Sequence, residues 1–101
     1  MLIHRWQAPI HPDKAFFRKS LAAEGLEPFD ENLPSGYKIP DHRHPFGEIR
    51  FVVEGELLFN VSGNQVLLRP GDRIEIPANT RHSHSTQGSQ TCICVCAHRV
   101  A

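Results

Sequence analysis

Past residue 47 the chain runs in short apolar stretches separated by turn residues. Glu48–Val53 is β-branched and aromatic and stops at Glu54-Gly55. Glu56–Val61 follows and turns at Ser62-Gly63-Asn64, and Gln65–Leu68 leads into Arg69-Pro70-Gly71-Asp72. Arg73–Ile76 is brief, Pro77-Ala78-Asn79-Thr80 precedes a strand carrying His82, Gln87–Gln90 reads as a loop, and Thr91–Val100 reads as a last strand. Many short strands punctuated by Gly, Pro and Asn predict an all-β sandwich or barrel.

The first third follows a different period. After a short strand over Leu2–Trp6, His11-Pro12-Asp13 marks a helix start, with proline tolerated in the first turn and an acid near the positive end. Phe17 and Leu21 are four apart and Phe16 widens the stripe, so one helical face is apolar. Gly25 and Pro28 end it, which predicts a helix over Pro12–Glu24 that covers a flank or open end of the β structure.

Length and charge narrow the function classes. A chain of 101 residues suits one domain with a modest core. Lys plus Arg total 11 and Asp plus Glu total 11, so no net charge favours nucleic acid or a membrane surface. No apolar run approaches the roughly 20 residues that span a bilayer, and the first residues lack a secretory pattern, so a cytoplasmic protein is expected. Cys92, Cys94 and Cys96 alternate with Ile93 and Val95, which turns all three thiols to one face of a strand. The outer two are about 13 Å apart along it, too far to share one ion. They read as small buried residues, with a thiol near a metal as the alternative.

Seven histidines in so short a chain direct attention to metal chemistry. His42 and His44 are two apart and leave an extended strand on the same side, and Pro45-Phe46-Gly47 turns the chain so that Glu48 returns beside them. With His82 from a distant strand, three imidazoles and one carboxylate suit a divalent first-row metal. Such a set leaves one or two coordination positions open for water, dioxygen or substrate. Arg50 shares the phase of Glu48, where its guanidinium either clamps an anionic substrate or pairs with a neighbouring acid. His84 shares the phase of His82 as a candidate hydrogen-bonding group, and Tyr37 and Phe46 are candidate pocket walls, or packing residues near a strand end. His4, His11 and His98 have no partner spacing and default to the surface, and Asp72 with Arg73-x-Glu75 reads as a solvated turn and strand face.

These residues resemble a known family. Gly36-x5-His42-x-His44-x3-Glu48-x6-Gly55 agrees with the first motif of the cupins, and Gly71-x5-Pro77-x-Asn79-x2-His82 resembles their second. Asn79 stands where glycine is usual, and Thr86 where asparagine often closes the motif. Asparagine tolerates the left-handed backbone that the turn needs. The resemblance covers about residues 36–99, after an N-terminal segment over 1–35, and Glu24-Gly25-Leu26-Glu27-Pro28 is similar to a group of small stand-alone cupins. It implies a jelly-roll β-barrel with one short N-terminal helix and metal ligation by His42, His44, Glu48 and His82. The ion would be iron, manganese, nickel, copper or zinc, with a small-molecule ligand in the barrel. A homodimer is also implied, supported by the apolar Glu48–Val53 strand and Trp6, which a lone barrel would expose. Cupins include dioxygenases, isomerases, decarboxylases and non-catalytic binding barrels, so the resemblance implies either a metal-dependent enzyme on a small anionic or oxygenated metabolite or a binding and sensing module.

Overall fold

The computed structural model describes residues 1–100. The strands are β1 (Leu2–His4), β2 (Phe29–Leu33), β3 (Lys38–His42), β4 (Gly47–Glu54), β5 (Glu56–Val61), β6 (Asn64–Leu68), β7 (Arg73–Ile76), β8 (His82–Gln87) and β9 (Cys92–Arg99), with one helix, α1 (Lys14–Ala23), between β1 and β2. They form two antiparallel sheets, one ordered β1-β7-β4-β9-β2 and the other β3-β8-β5-β6. The all-β jelly roll expected from the sequence is present. It is two facing sheets with an open end, without a continuous ladder closing them into a cylinder.

Strand β4 is buried on both faces along nearly its whole length. Its inward residue Val52 joins Leu57, Phe59, Ile74, Ile76, Cys92, Cys94 and Cys96 between the sheets. Its outward residues Ile49, Phe51 and Val53 pack with Phe17 and Leu21 of α1 and with Trp6. Phe17 stacks on Phe51 with ring centroids 4.3 Å apart. The helix is therefore a lid on the outer face of the five-stranded sheet. The apolar face that argued for a second copy of the chain is already covered from within it.

Asp13 caps α1 by accepting a 2.9 Å hydrogen bond from the Ala15 amide, and Gly25 follows the helix at φ 80°. β5 and β7 have the predicted bounds, and His82 lies on a strand, β8, as expected. β2 was not expected. Its alternation of Phe29, Glu31 and Leu33 is interrupted by charge, so no apolar run announces it; pairing with β9 makes it a strand.

The turn before β7 corrects the solvated reading of Asp72. That side chain is buried and accepts hydrogen bonds from Arg5 at 2.7 Å, the Trp6 amide at 2.9 Å and the Arg69 amide at 3.0 Å. It ties the N-terminal segment to the turn, a role set by residues more than sixty positions away. Gly71 beside it has φ 95°, and a Cβ there would lie 2.1 Å from the Trp6 ring. Arg73 and Glu75 also belong to a cluster rather than a free face, with Glu24 and Arg99 as partners. All three cysteines are buried and unpaired, as the small-core-residue reading requires, and Cys92 Sγ lies 3.7 Å from Cys94 Sγ.

Candidate metal centre

His42 closes β3 and is paired with His82 at the start of the adjacent strand β8, where a register irregularity between Ile39 and His42 re-aims the strand. His44 lies two residues beyond the end of β3, in the segment that crosses to the other sheet and enters β4 with Glu48. The Pro45-Phe46 bend is thus a change of sheet rather than a hairpin. Asn79 holds φ 60°, as the left-handed turn requires, and its amide donates a 2.8 Å hydrogen bond to the His44 carbonyl. The second motif thereby pins the first.

One ring nitrogen from each of His42, His44 and His82 lies within 4.8 Å of the other two. Their Nδ1 atoms all face backbone carbonyls, His42 to Pro40 at 2.9 Å, His44 to Phe46 at 2.8 Å and His82 to Thr80 at 2.9 Å. A carbonyl only accepts, so each Nδ1 carries a proton and donates it. With Nδ1 so engaged, Nε2 is the atom left to hold a metal. His82 is fully buried, and its Nε2 has no hydrogen-bond partner. An orphaned buried nitrogen facing two other imidazoles and a carboxylate fits a cation.

Glu48 stands beside the triad. Its Oε1 is 3.2 Å from His44 Nε2 and 3.5 Å from His82 Nε2. Burial by itself would raise this carboxyl, but the His82 ring and the Arg50 guanidinium outweigh it and hold it well below the usual carboxylate range. It stays an anion.

Arg50 shares the inward phase, as predicted, and its guanidinium is paired with two acids. Nε donates to Glu48 Oε2 at 3.2 Å and NH1 donates to Glu31 Oε1 at 2.7 Å. Glu31 comes from the strand the sequence did not announce. Of the two roles open to Arg50, pairing with acids is present in the structure, and the residue also lines the cavity.

A cavity of about 230 Å³ adjoins the triad, lined by Tyr37, Phe46, Arg50 and His84 among the expected residues and by Glu31, Phe29 and His98 among the unexpected. His84 is buried, and neither ring nitrogen has a partner. Burial first, and then the Arg50 charge, push it down to about 3, so the ring is neutral. Tyr37 lies over it with centroids 6.0 Å apart. His98 is exposed, as expected, and its ring also sits 4.1 Å from that of Phe46, which stacks on His44 at 4.2 Å. Its signal was in the sequence, because His98 continues the inward parity of Cys92, Cys94 and Cys96. Among the described residues, the histidine group contains no cysteine.

Residues 29–98 match the cupin domain family. The chain belongs to the cupins. This cupin is 37% identical to an acireductone dioxygenase of Alcanivorax borkumensis over 78 residues, covering 73% of its own length and 34% of that protein. It is 36% identical to a quercetin 2,3-dioxygenase of Bacillus subtilis over 59 residues, covering 57% of its length and 18% of the relative. Among solved structures it resembles the DMSP lyase DddQ of Ruegeria pomeroyi with TM-score 0.66 and 29% identity, over 74% of this chain and 38% of that one. The cupin thus spans about a third or less of the curated relatives described here.

Proposed function

We propose that this cupin is a metal-dependent oxidoreductase of the dioxygenase type, acting on a small oxygenated metabolite, with His42, His44, Glu48 and His82 as ligands to one divalent transition metal. The observation that carries the reading is the set of three clustered imidazoles whose Nδ1 protons are tied to backbone carbonyls, with the Nε2 atoms of His44 and His82 beside the Glu48 carboxylate. That arrangement is preorganised, so little conformational entropy remains to be lost on binding an ion. The relatives that bear dioxygenase names support the reaction class.

A bound ion would supply Lewis-acid and dioxygen chemistry at this point. The chain supplies the rest. Arg50 holds Glu48 Oε2 and leaves Oε1 facing the triad. His84 offers one donor and one acceptor to a ligand in the cavity. Phe29, Tyr37 and Phe46 limit water beside the centre. A volume of about 230 Å³ restricts the ligand to a small metabolite.

The test is elemental analysis of the purified protein, followed by oxygen uptake with small enols and hydroxy-ketones after reconstitution with iron, manganese or nickel. Near one ion per chain and metal-dependent uptake are expected, with both lost in His42→Ala. One ion per chain with no uptake across the panel would replace the enzyme by a binding and sensing barrel. An empty, folded protein after reconstitution would overturn the metal assignment.

A further inference from the structure

Resting on the metal-centre reading above, we propose that Glu31 determines the charge of ligand this cavity accepts. By occupying Arg50 NH1, it disfavours carboxylate-bearing molecules relative to uncharged oxygen donors.

The placement follows from the sheet. Arg50 lies on β4 and Glu31 on β2, and β9 runs between them. Arg50 is registered opposite Cys96 and Glu31 opposite Cys94. Strands β4 and β2 are therefore two strand spacings apart, roughly 9–10 Å. The gap is bridged over small thiols by two long side chains that meet at 2.7 Å. A larger residue at position 94 or 96 would fill the path, so the cysteines make room for the ion pair.

The two partners are unequal. The Arg50 side chain is 5% exposed and fixed by a second bond to Glu48, whereas the Glu31 side chain is 39% exposed. Both line the cavity. A guanidinium in a ligand cavity ordinarily attracts a carboxylate through two parallel hydrogen bonds. Here the protein supplies that carboxylate itself. Counting charges, Glu31 and Glu48 outweigh Arg50 by one, so the chain itself opposes an arriving carboxylate. His84, with both ring nitrogens unpartnered, then provides the polar recognition that Arg50 does not.

The experiment compares acetate with hydroxyacetone, which is of similar size and uncharged, on the zinc-loaded full chain and its Glu31→Ala and Glu31→Gln variants. Titration calorimetry gives both affinities, and zinc per chain is measured on each sample. The acetate-to-hydroxyacetone affinity ratio is expected to rise about tenfold in Glu31→Ala and by a smaller factor in Glu31→Gln, as when one nearby charge is removed at intermediate dielectric. A lost structural role would weaken both probes together and leave the ratio unchanged. An unchanged or lower ratio in both variants, with zinc content intact, overturns the proposal. Should the chain take up no zinc, the metal reading falls instead, and the ratio measured by ligand-observed NMR on the zinc-free protein still decides Glu31.

Discussion

His84 is the residue where stability and function pull in opposite directions. It is buried, packs 4.9 Å from the Phe59 ring, and leaves two nitrogens without partners. An unsatisfied buried polar atom costs about 1–3 kcal/mol, and phenylalanine has nearly the same shape. The metal-free His84→Phe variant should therefore be more stable than the parent by about 1–2 kcal/mol in urea unfolding, while binding hydroxyacetone more weakly. A destabilised variant would mean that the ring has partners the structure does not show. Gly71 presents the opposite case. At φ 95°, with Trp6 closing the space a Cβ would fill, Gly71→Ala should cost about 2 kcal/mol or more and lower the melting temperature. An unchanged melting temperature would show that Trp6 moves aside freely.

At the scale of elements, α1 is held by packing and by ion pairs at its C-terminal end. Its centre is Phe17, fully buried and stacked on Phe51. Phe17→Ala should destabilise the protein by about 3–5 kcal/mol in denaturant unfolding. A change under 1 kcal/mol would mean that the helix is not integral to the fold. Glu24 follows the helix and joins Arg73, Arg99 and Glu75 of the neighbouring sheet. A hydrogen bond from Arg73 lowers the Glu24 carboxyl below its ordinary 4.5, and one from Arg99 does the same for Glu75. Carboxyls depressed in the folded state contribute stability above the unfolded value, and that contribution disappears as pH falls through the folded value. Stability from this cluster should be constant above about pH 5.5 and decline as pH drops through 4.5 and below. Arg99→Ala should make that acid decline shallower, and an identical pH profile would remove the cluster from the account.

The elements also show what a single sequence reveals. β5 and β7 were legible because their apolar runs end at strong turns, and α1 because Phe17 and Leu21 share a helical face. β2 was not legible, since Asp30 and Glu31 conceal its alternation, and with it Glu31 was missed as a cavity residue. Arg50 was legible in direction but not in partner. The phase of a strand gives the face on which a side chain leaves, whereas its partner depends on which strand lies two places away.

For the whole molecule, the facing sheets place a cluster of ligand-type side chains between them, so a bound ion would link β3 and β8 to β4. Binding to the folded state alone stabilises it by mass action, about 2.7 kcal/mol at a hundredfold excess over Kd. Metal loading should raise the melting temperature, and a chelator should return it to the metal-free value. No response to either, in protein shown to be folded, would separate the histidine cluster from metal binding.

The sequence by itself determined the period of each element, the residues that face inward and the donor types available at the two motifs, because these are local properties of spacing and side-chain chemistry. Only the tertiary structure decided that the cluster forms between two sheets, that backbone carbonyls engage Nδ1 of each imidazole, that α1 covers the face left for a partner, and that Glu31 occupies Arg50. Each of those depends on which distant segments become neighbours, and spacing along the chain carries no record of that.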